Sequence, residues 1–269
     1  MPDILCPTCG AALTLGARQW SCPKGHSFDV ARQGYVNLLP VTQKRSLHPG
    51  DTREQVAARR AFLEAGFYTP LAQAVCQAAQ RYGSEARAIL DAGCGEGYYS
   101  AQVGAALPDA ALYGLDISKD AVRLAAGKYK SGTWLCGTAA HLPFPPESLD
   151  LILSMFALTV PGEFHRVLVP GGIYLQVLAA EDHLLELKKV IYPEVLHQEK
   201  ISIPTLPGFA LVESRSVSFS FTAEGAQIQN LLAMTPHFWR ITRAGAQRLA
   251  AQSCLTDRAS TVLNLYRRI

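Results

Sequence analysis

Between residues 89 and 97 the chain reads Ile-Leu-Asp-Ala-Gly-Cys-Gly-Glu-Gly, an apolar run that ends on Asp91 and breaks into glycines at 93, 95 and 97. Glycine reaches backbone angles that a side chain forbids and lets the main chain lie close against a ligand. A buried strand that stops in such a turn and restarts as a helix is one unit of a layered α/β fold. The residues that follow keep the alternation. Apolar runs at Ala88–Ala92, Ala111–Ile117, Thr133–Cys136, Leu149–Ser154 and Gly172–Leu178 read as strands, and Tyr99–Ala106 and Asp120–Lys130 between them read as helices. The pattern predicts a doubly wound, Rossmann-like parallel sheet. Residues 179–269 contain further helix and strand candidates, but no motif that sets their topology.

Length and composition narrow the class. At 269 residues the chain holds one large domain and a small module, and 49% hydrophobic against 17% charged residues excludes disorder. No apolar run approaches the roughly 18 residues of a membrane span. Met1-Pro2-Asp3 does not open a basic stretch followed by an apolar one, so a cytoplasmic location without a membrane partner is expected. Seven cysteines in such a chain are metal ligands or buried thiols rather than a disulfide framework. The charge is uneven. Residues 1–60 carry eight Lys or Arg against four Asp or Glu, whereas the remainder carries 17 against 18. This N-terminal excess fits a polyanion partner or a solvated basic face.

The basic segment also contains Cys6-Pro-Thr-Cys9, twelve residues, and then Cys22-Pro-Lys-Gly-His26. Two residues between thiolates let both reach one ion from a tight turn, and Cys22 with His26 closes the tetrahedron from a second turn. Three Cys and one His form a closed structural zinc set with no position left for water. Such a site folds a segment too small to have its own core. Lys24, Arg32, Lys44, Arg45, Arg59 and Arg60 are candidate phosphate contacts, although the adjacent Arg59 and Arg60 equally suit a solvated helix face. Residues from about 50 to 82 read as helical, with Asp51 as a possible cap.

The turn at Asp91–Gly97 resembles motif I of the class I methyltransferases, where it cradles the methionine part of S-adenosylmethionine. Tyr113-Gly-Leu-Asp116 then places a carboxylate at a strand end, where it can accept from both ribose hydroxyls. His141-Leu-Pro-Phe144 through Asp150 resembles the stretch after the third strand, but Thr138 stands where an acidic residue near the adenine is usual. Arg166 through Gly172 resembles the turn into the fifth strand. The zinc cluster, Gly34–Pro40, Lys44-Arg45-Ser46 before Pro49-Gly50-Asp51, Ala58–Leu63, Gly95–Tyr99 and Met234-Thr235-Pro236 with Trp239-Arg240 together resemble the 23S ribosomal RNA guanine-N1 methyltransferases over nearly the whole chain. The Lys-Arg-Ser to Pro-Gly-Asp stretch looks more like the guanine-745 branch than the guanine-748 branch.

The resemblance implies a zinc-binding RNA-recognition module at 1–36, a helical segment at 37–87 and an S-adenosylmethionine-dependent methyltransferase domain at 88–269. It implies a hairpin-loop substrate in 23S rRNA and is compatible with a homodimer. It adds Tyr68 and His183 to a cofactor set of Asp91, Gly93, Gly95, Glu96, Gly97, Asp116 and Thr138. Phe156-Ala157-Leu158 departs from the family's aromatic-Ala-Pro after the fourth strand. Guanine N1 carries a proton at neutral pH, and no residue announces itself as its acceptor; Glu96, His141 and His183 are candidates. The target base must leave its stack, and Phe156, Tyr99 and Trp239 can stack on it or serve as core aromatics. A small-molecule methyltransferase with a zinc-stabilised lid is the alternative activity.

Overall fold

A computed structural model describes residues 1–43, 49–195 and 202–269. The N-terminal strands β1 (Thr14–Leu15), β2 (Gln19–Ser21) and β3 (Ser27–Asp29) form a small antiparallel sheet. The next strand, β4 (Tyr35–Asn37), leaves that sheet. It pairs in parallel with a strand about a hundred residues later, with Val36 opposite Leu135, and becomes an edge of the main sheet. β4 therefore lies across the boundary expected at residue 36.

Helices α1 (Arg53–Glu64) and α2 (Thr69–Gly83) occupy the stretch expected to be helical. Gly66, at φ +88°, breaks it into two. Asp51 does not cap α1. Thr52 does, in a capping box in which its hydroxyl accepts from the Gln55 amide while the Gln55 side chain accepts from the Thr52 amide. Asp51 is thus free to face Arg59 two turns along the helix.

From here the chain alternates: β5 (Ala88–Ala92), α3 (Tyr98–Ala106), β6 (Ala111–Asp116), α4 (Lys119–Lys128), β7 (Thr133–Cys136), β8 (Leu149–Met155), α5 (Pro161–Val167), β9 (Leu168–Ala179) and α6 (Leu185–Ile191). Four strands match the expected runs to within one residue, whereas β9 begins at Leu168 rather than Gly172. The final third is a long antiparallel hairpin, β10 (Phe209–Glu224) and β11 (Cys254–Arg268), with α7 (Ala226–Ala233) and α8 (Arg243–Ala250) between its strands.

The main sheet runs β10-β11-β9-β8-β5-β6-β7-β4. Pairings from β4 to β9 are parallel, and β11 joins β9 antiparallel. Strand order reverses between β5 and β8. In an open α/β sheet that reversal leaves a crevice beyond the strand C-termini, where ligands bind. On one face of the sheet Phe62 of α1, Leu71 of α2, Leu187 of α6 and Leu231 of α7 share a core with Ile89 and Leu153 of the strands. On the other face Ile4, Leu13 and Trp20 of the N-terminal module join Leu142, Phe144 and Ile152, so the module shares a core with the sheet. Among the described residues no helix is long and apolar enough to cross a membrane.

Candidate cofactor crevice and metal centre

In the N-terminal module two turns face each other. The Cys9 and Gly10 amides donate to the Cys6 carbonyl, and the Gly25 amide donates to the Cys22 carbonyl. Both glycines sit at positive φ, +72° and +82°. One ligand atom each from Cys6, Cys9, Cys22 and His26 falls within a cluster whose members all lie at most 4.8 Å apart. Cys22 Sγ is 3.3 Å from His26 Nδ1 and 3.7 Å from Cys9 Sγ. Burial pushes the Cys22 thiol up, but the His26 amide and ring and the Lys24 amide outweigh it and bring it down to about 6. This compact S₃N donor set fits a structural zinc ion.

The crevice at the strand reversal is a cavity of about 1330 Å³. Its floor is the glycine turn. The Gly93 and Cys94 amides donate to the Leu115 carbonyl at 2.8 and 3.1 Å. A Cβ on Gly93 would collide with the Ala157 methyl, and φ is +96° there. Gly97 is not on the cavity wall. It caps α3 in the left-handed conformation and packs with Gly114 against the fully buried Trp134 indole, which would clash with a Cβ at either position.

Three carboxylates ring this floor. Asp116 accepts the Gly95 amide on Oδ2 at 2.9 Å and the Ser118 amide on Oδ1 at 2.8 Å. Each oxygen keeps a lone pair for a further donor. Asp91 accepts Ser100 Oγ on Oδ2 at 2.5 Å, while its Oδ1 is buried with no partner among the described residues. Burial pushes the Asp91 carboxyl up to about 7, reinforced by Asp116 and Glu96 and opposed by Ser100. Glu96 is 5% exposed, and burial raises it too, against the pull of Arg59. Unused acceptors beside backbone that can approach a ligand closely fit a nucleoside carrying a cationic amino-acid group.

Elements far apart in sequence close the cavity. Tyr68, at the start of α2, puts its hydroxyl 3.5 Å from His183 Nε2, in the loop after β9. His183 Nδ1 lies 2.9 Å from the Ser260 carbonyl oxygen. Phe156 follows β8 at φ +54°, a left-handed conformation unusual for an aromatic residue, and its ring centroid is 5.8 Å from that of His183. Phe156 and Trp239 form an exposed aromatic rim, 42% and 67% accessible. Tyr99 is half-buried in the wall.

Thr138 and His141 are outside the lining. Thr138 Oγ1 accepts the Ala140 amide in a turn after β7, and His141 is exposed in the same turn. Arg59, expected as a phosphate contact or on a solvated face, turns into the crevice instead of onto an open helix face. It ion-pairs with Asp51, donates to the Met234 carbonyl oxygen and lines the cavity. Arg60 pairs with Glu64 at 2.8 Å. Lys24 and Arg32 are exposed, while Lys44 and Arg45 lie outside the described residues.

Known proteins show what kind of chain carries this arrangement. A family profile described as "RlmA, N-terminal" matches residues 4–47, and one described as "Methyltransferase domain" matches residues 89–172. The 23S rRNA (guanine(748)-N(1))-methyltransferase of Streptomyces fradiae is 33% identical over 242 residues, covering 88% of this chain and 85% of its own length. A relative from Micromonospora griseorubida, named "Putative 23S rRNA (guanine-N(1)-)-methyltransferase", is 39% identical over 206 residues, with 70% and 69% covered. The chain belongs to the 23S rRNA guanine-N1 methyltransferase family.

This family member is an S-adenosylmethionine-dependent enzyme with a zinc ribbon. Bound in this crevice, S-adenosylmethionine would supply an electrophilic methyl group. The groups that would hold it are the Gly93–Gly95 backbone, Asp116 for ribose hydroxyls and Asp91 for an ammonium group.

The Asp91 assignment predicts a pH profile. Its carboxyl is raised in the fold, so the ligand-free enzyme favours the protonated form and loses that part of its stability as pH rises through about 7. An ammonium partner favours the carboxylate, so binding at lower pH must expel a proton. S-adenosylhomocysteine affinity should rise by up to about tenfold per unit from about pH 5.5 to 6.5 and level off above about 7.5. Calorimetric titration should give a flat profile for Asp91→Asn over that range. An undiminished slope in that variant would remove Asp91 from the role.

Proposed function

We propose that the enzyme transfers a methyl group to N1 of a guanine in 23S rRNA, at the position-745 branch, in a hairpin loop of domain II. The observation that carries the reading is the cavity itself. Small-ligand pockets run to roughly 300–1,000 Å³, whereas this one is about 1330 Å³ and extends from the glycine turn to the Phe156 and Trp239 rim. That is room for a nucleoside donor and a second planar group. Stacking on an aromatic ring is worth about 1–3 kcal/mol per base, which offsets part of the cost of drawing a guanine out of a loop.

Holding the reacting atoms about 3–3.5 Å apart and in line is the main service of such a site. The acceptor for the N1 proton is then sought at the cavity. Glu96 and His183 stand on its wall and His141 does not. The exposed Lys24 and Arg32 of the zinc module are the phosphate contacts of this reading. Two copies, their modules flanking one RNA, complete it.

The guanine-748 branch is a second reading, supported by the Streptomyces fradiae relative. One experiment separates the possibilities: methylation of unmodified 23S rRNA with labelled S-adenosylmethionine, followed by mass mapping. A single methyl on guanine 745 is the expected result, and a methyl on guanine 748 moves the assignment to the other branch. No incorporation by protein that still binds the cofactor would overturn the RNA reading in favour of a small acceptor.

A further inference from the structure

The cavity floor presents a charge problem. Beside the three carboxylates of the floor, Asp91, Glu96 and Asp116, the cavity is also lined by Asp51, the partner of Arg59. The amino-acid end of S-adenosylmethionine brings a carboxylate as well as an ammonium group. The ammonium suits Asp91, but a carboxylate among four acidic side chains is repelled unless a cation meets it. The lining Lys and Arg among the described residues are Arg59, Lys188 and Arg240. Lys188 donates to the Glu181 carbonyl oxygen from α6, and Arg240 is exposed at the rim beside Trp239. Arg59 lies against the glycine turn, where its Nη1 would be 3.8 Å from a Cβ on Gly95.

Arg59 is held for such a role. α1 delivers it to the crevice from outside the methyltransferase-domain match, and its side chain is 27% exposed. Burial disfavours its charge, but Asp51, Glu96 and Asp116 more than restore it. One guanidinium nitrogen pairs with Asp51, and another donates to the Met234 carbonyl oxygen at a long 3.4 Å. Five N–H groups in a planar fork leave donors to spare and match a carboxylate in geometry. A second observation points to the same place. Tyr99, a cavity-lining residue on the first turn of α3 after the glycines, has a hydroxyl that is buried and finds no partner among the described residues.

We propose that Arg59, with the Tyr99 hydroxyl, forms the subsite for the carboxylate of the cofactor's amino-acid group. Asp51 holds the guanidinium in the ligand-free protein, and the incoming carboxylate shares or replaces it. The alternative role for Arg59 is bracing alone: through Asp51 and Met234 it ties the segment before α1 to the loop after α7.

Binding of two ligands distinguishes the roles, with no RNA present and therefore independently of the substrate reading. S-adenosylmethionine is compared with decarboxylated S-adenosylmethionine, which lacks only the carboxylate. Arg59→Met should weaken the first by about tenfold or more, as loss of a charge-assisted fork does, and change the second less than about twofold. Tyr99→Phe should show a smaller loss confined to the first ligand. Equal losses for both ligands in Arg59→Met would assign Arg59 to bracing, and an unchanged affinity for S-adenosylmethionine would also overturn the proposal. Zinc content and the unfolding midpoint report whether each variant is folded. If Arg59→Met is not, Arg59→Lys carries the same comparison, with the outcome read from the ratio of the two affinities.

Discussion

Asp116→Ala is expected to weaken S-adenosylmethionine binding on the order of a hundredfold or more, while zinc content stays at one per chain. The carboxylate has two tasks in one crevice. It accepts the Gly95 and Ser118 amides, fixing the end of the glycine turn relative to β6, and its remaining lone pairs face the cavity. Hydrogen bonds to a charged group contribute about 1.5–3 kcal/mol each. Loss of both ribose contacts, with a slackened Gly93–Gly95 backbone, reaches about 3 kcal/mol, which is on the order of a hundredfold. Burial raises this carboxyl above its ordinary value, although the two amides oppose the rise. Asp116→Asn keeps the shape and one acceptor oxygen, so it should fall between wild type and Asp116→Ala. Calorimetry measures all three. An unaltered dissociation constant in Asp116→Ala would remove the residue from the cofactor site.

The second large effect is expected at the metal. Cys9→Ser should lower bound zinc from one ion per chain to a small fraction and open residues 1–34 to proteolysis, with cofactor affinity kept within about threefold. Structural zinc in small fingers contributes on the order of 10–16 kcal/mol of apparent binding free energy at neutral pH, far more than the three short strands of this module can supply. The effect should reach the neighbouring sheet, because Ile4, Leu13 and Trp20 pack with Leu142 and Phe144 in one core. The Leu5 amide also donates to the Pro143 carbonyl oxygen at 2.9 Å. A lower unfolding midpoint for the whole chain is therefore expected together with zinc loss. Full zinc occupancy in Cys9→Ser, measured by elemental analysis, would refute the ligand assignment.

What the sequence makes legible follows from the range of the forces involved. β5 and β7 lie at the expected residues because a buried parallel strand is an unbroken apolar run ended by turn residues, a wholly local signal. The zinc set is equally local, since four ligands in two turns declare themselves by spacing. Arg59 escapes such a reading because its partner depends on how α1 lies over the crevice, which helix periodicity does not encode. The meeting of Tyr68 and His183, 115 positions apart, is invisible to spacing and enters only through family resemblance. The cap of α1 turns on a reciprocal pair, Thr52 with Gln55, that outcompetes a lone Asp51. The β10–β11 hairpin is hardest to see, as Ser216-Val-Ser-Phe-Ser-Phe221 alternates like a strand but is joined to its partner through two helices rather than a short turn.

The pairing of β4 with β7 has a consequence for how the protein is made. Val36 leaves the ribosome about a hundred residues before Leu135, so this strand cannot join the sheet when it is synthesised. Closing so long a loop is entropically slow, and an apolar strand waiting in the open invites wrong pairings. A module of about thirty residues whose two turns are tied by a metal has a local nucleus, and it can hold Tyr35–Asn37 at its margin until the sheet arrives. Zinc would then act on the speed and yield of assembly as well as on the finished fold. Refolding started in the presence of zinc should recover more cofactor-binding protein than refolding with zinc added after collapse.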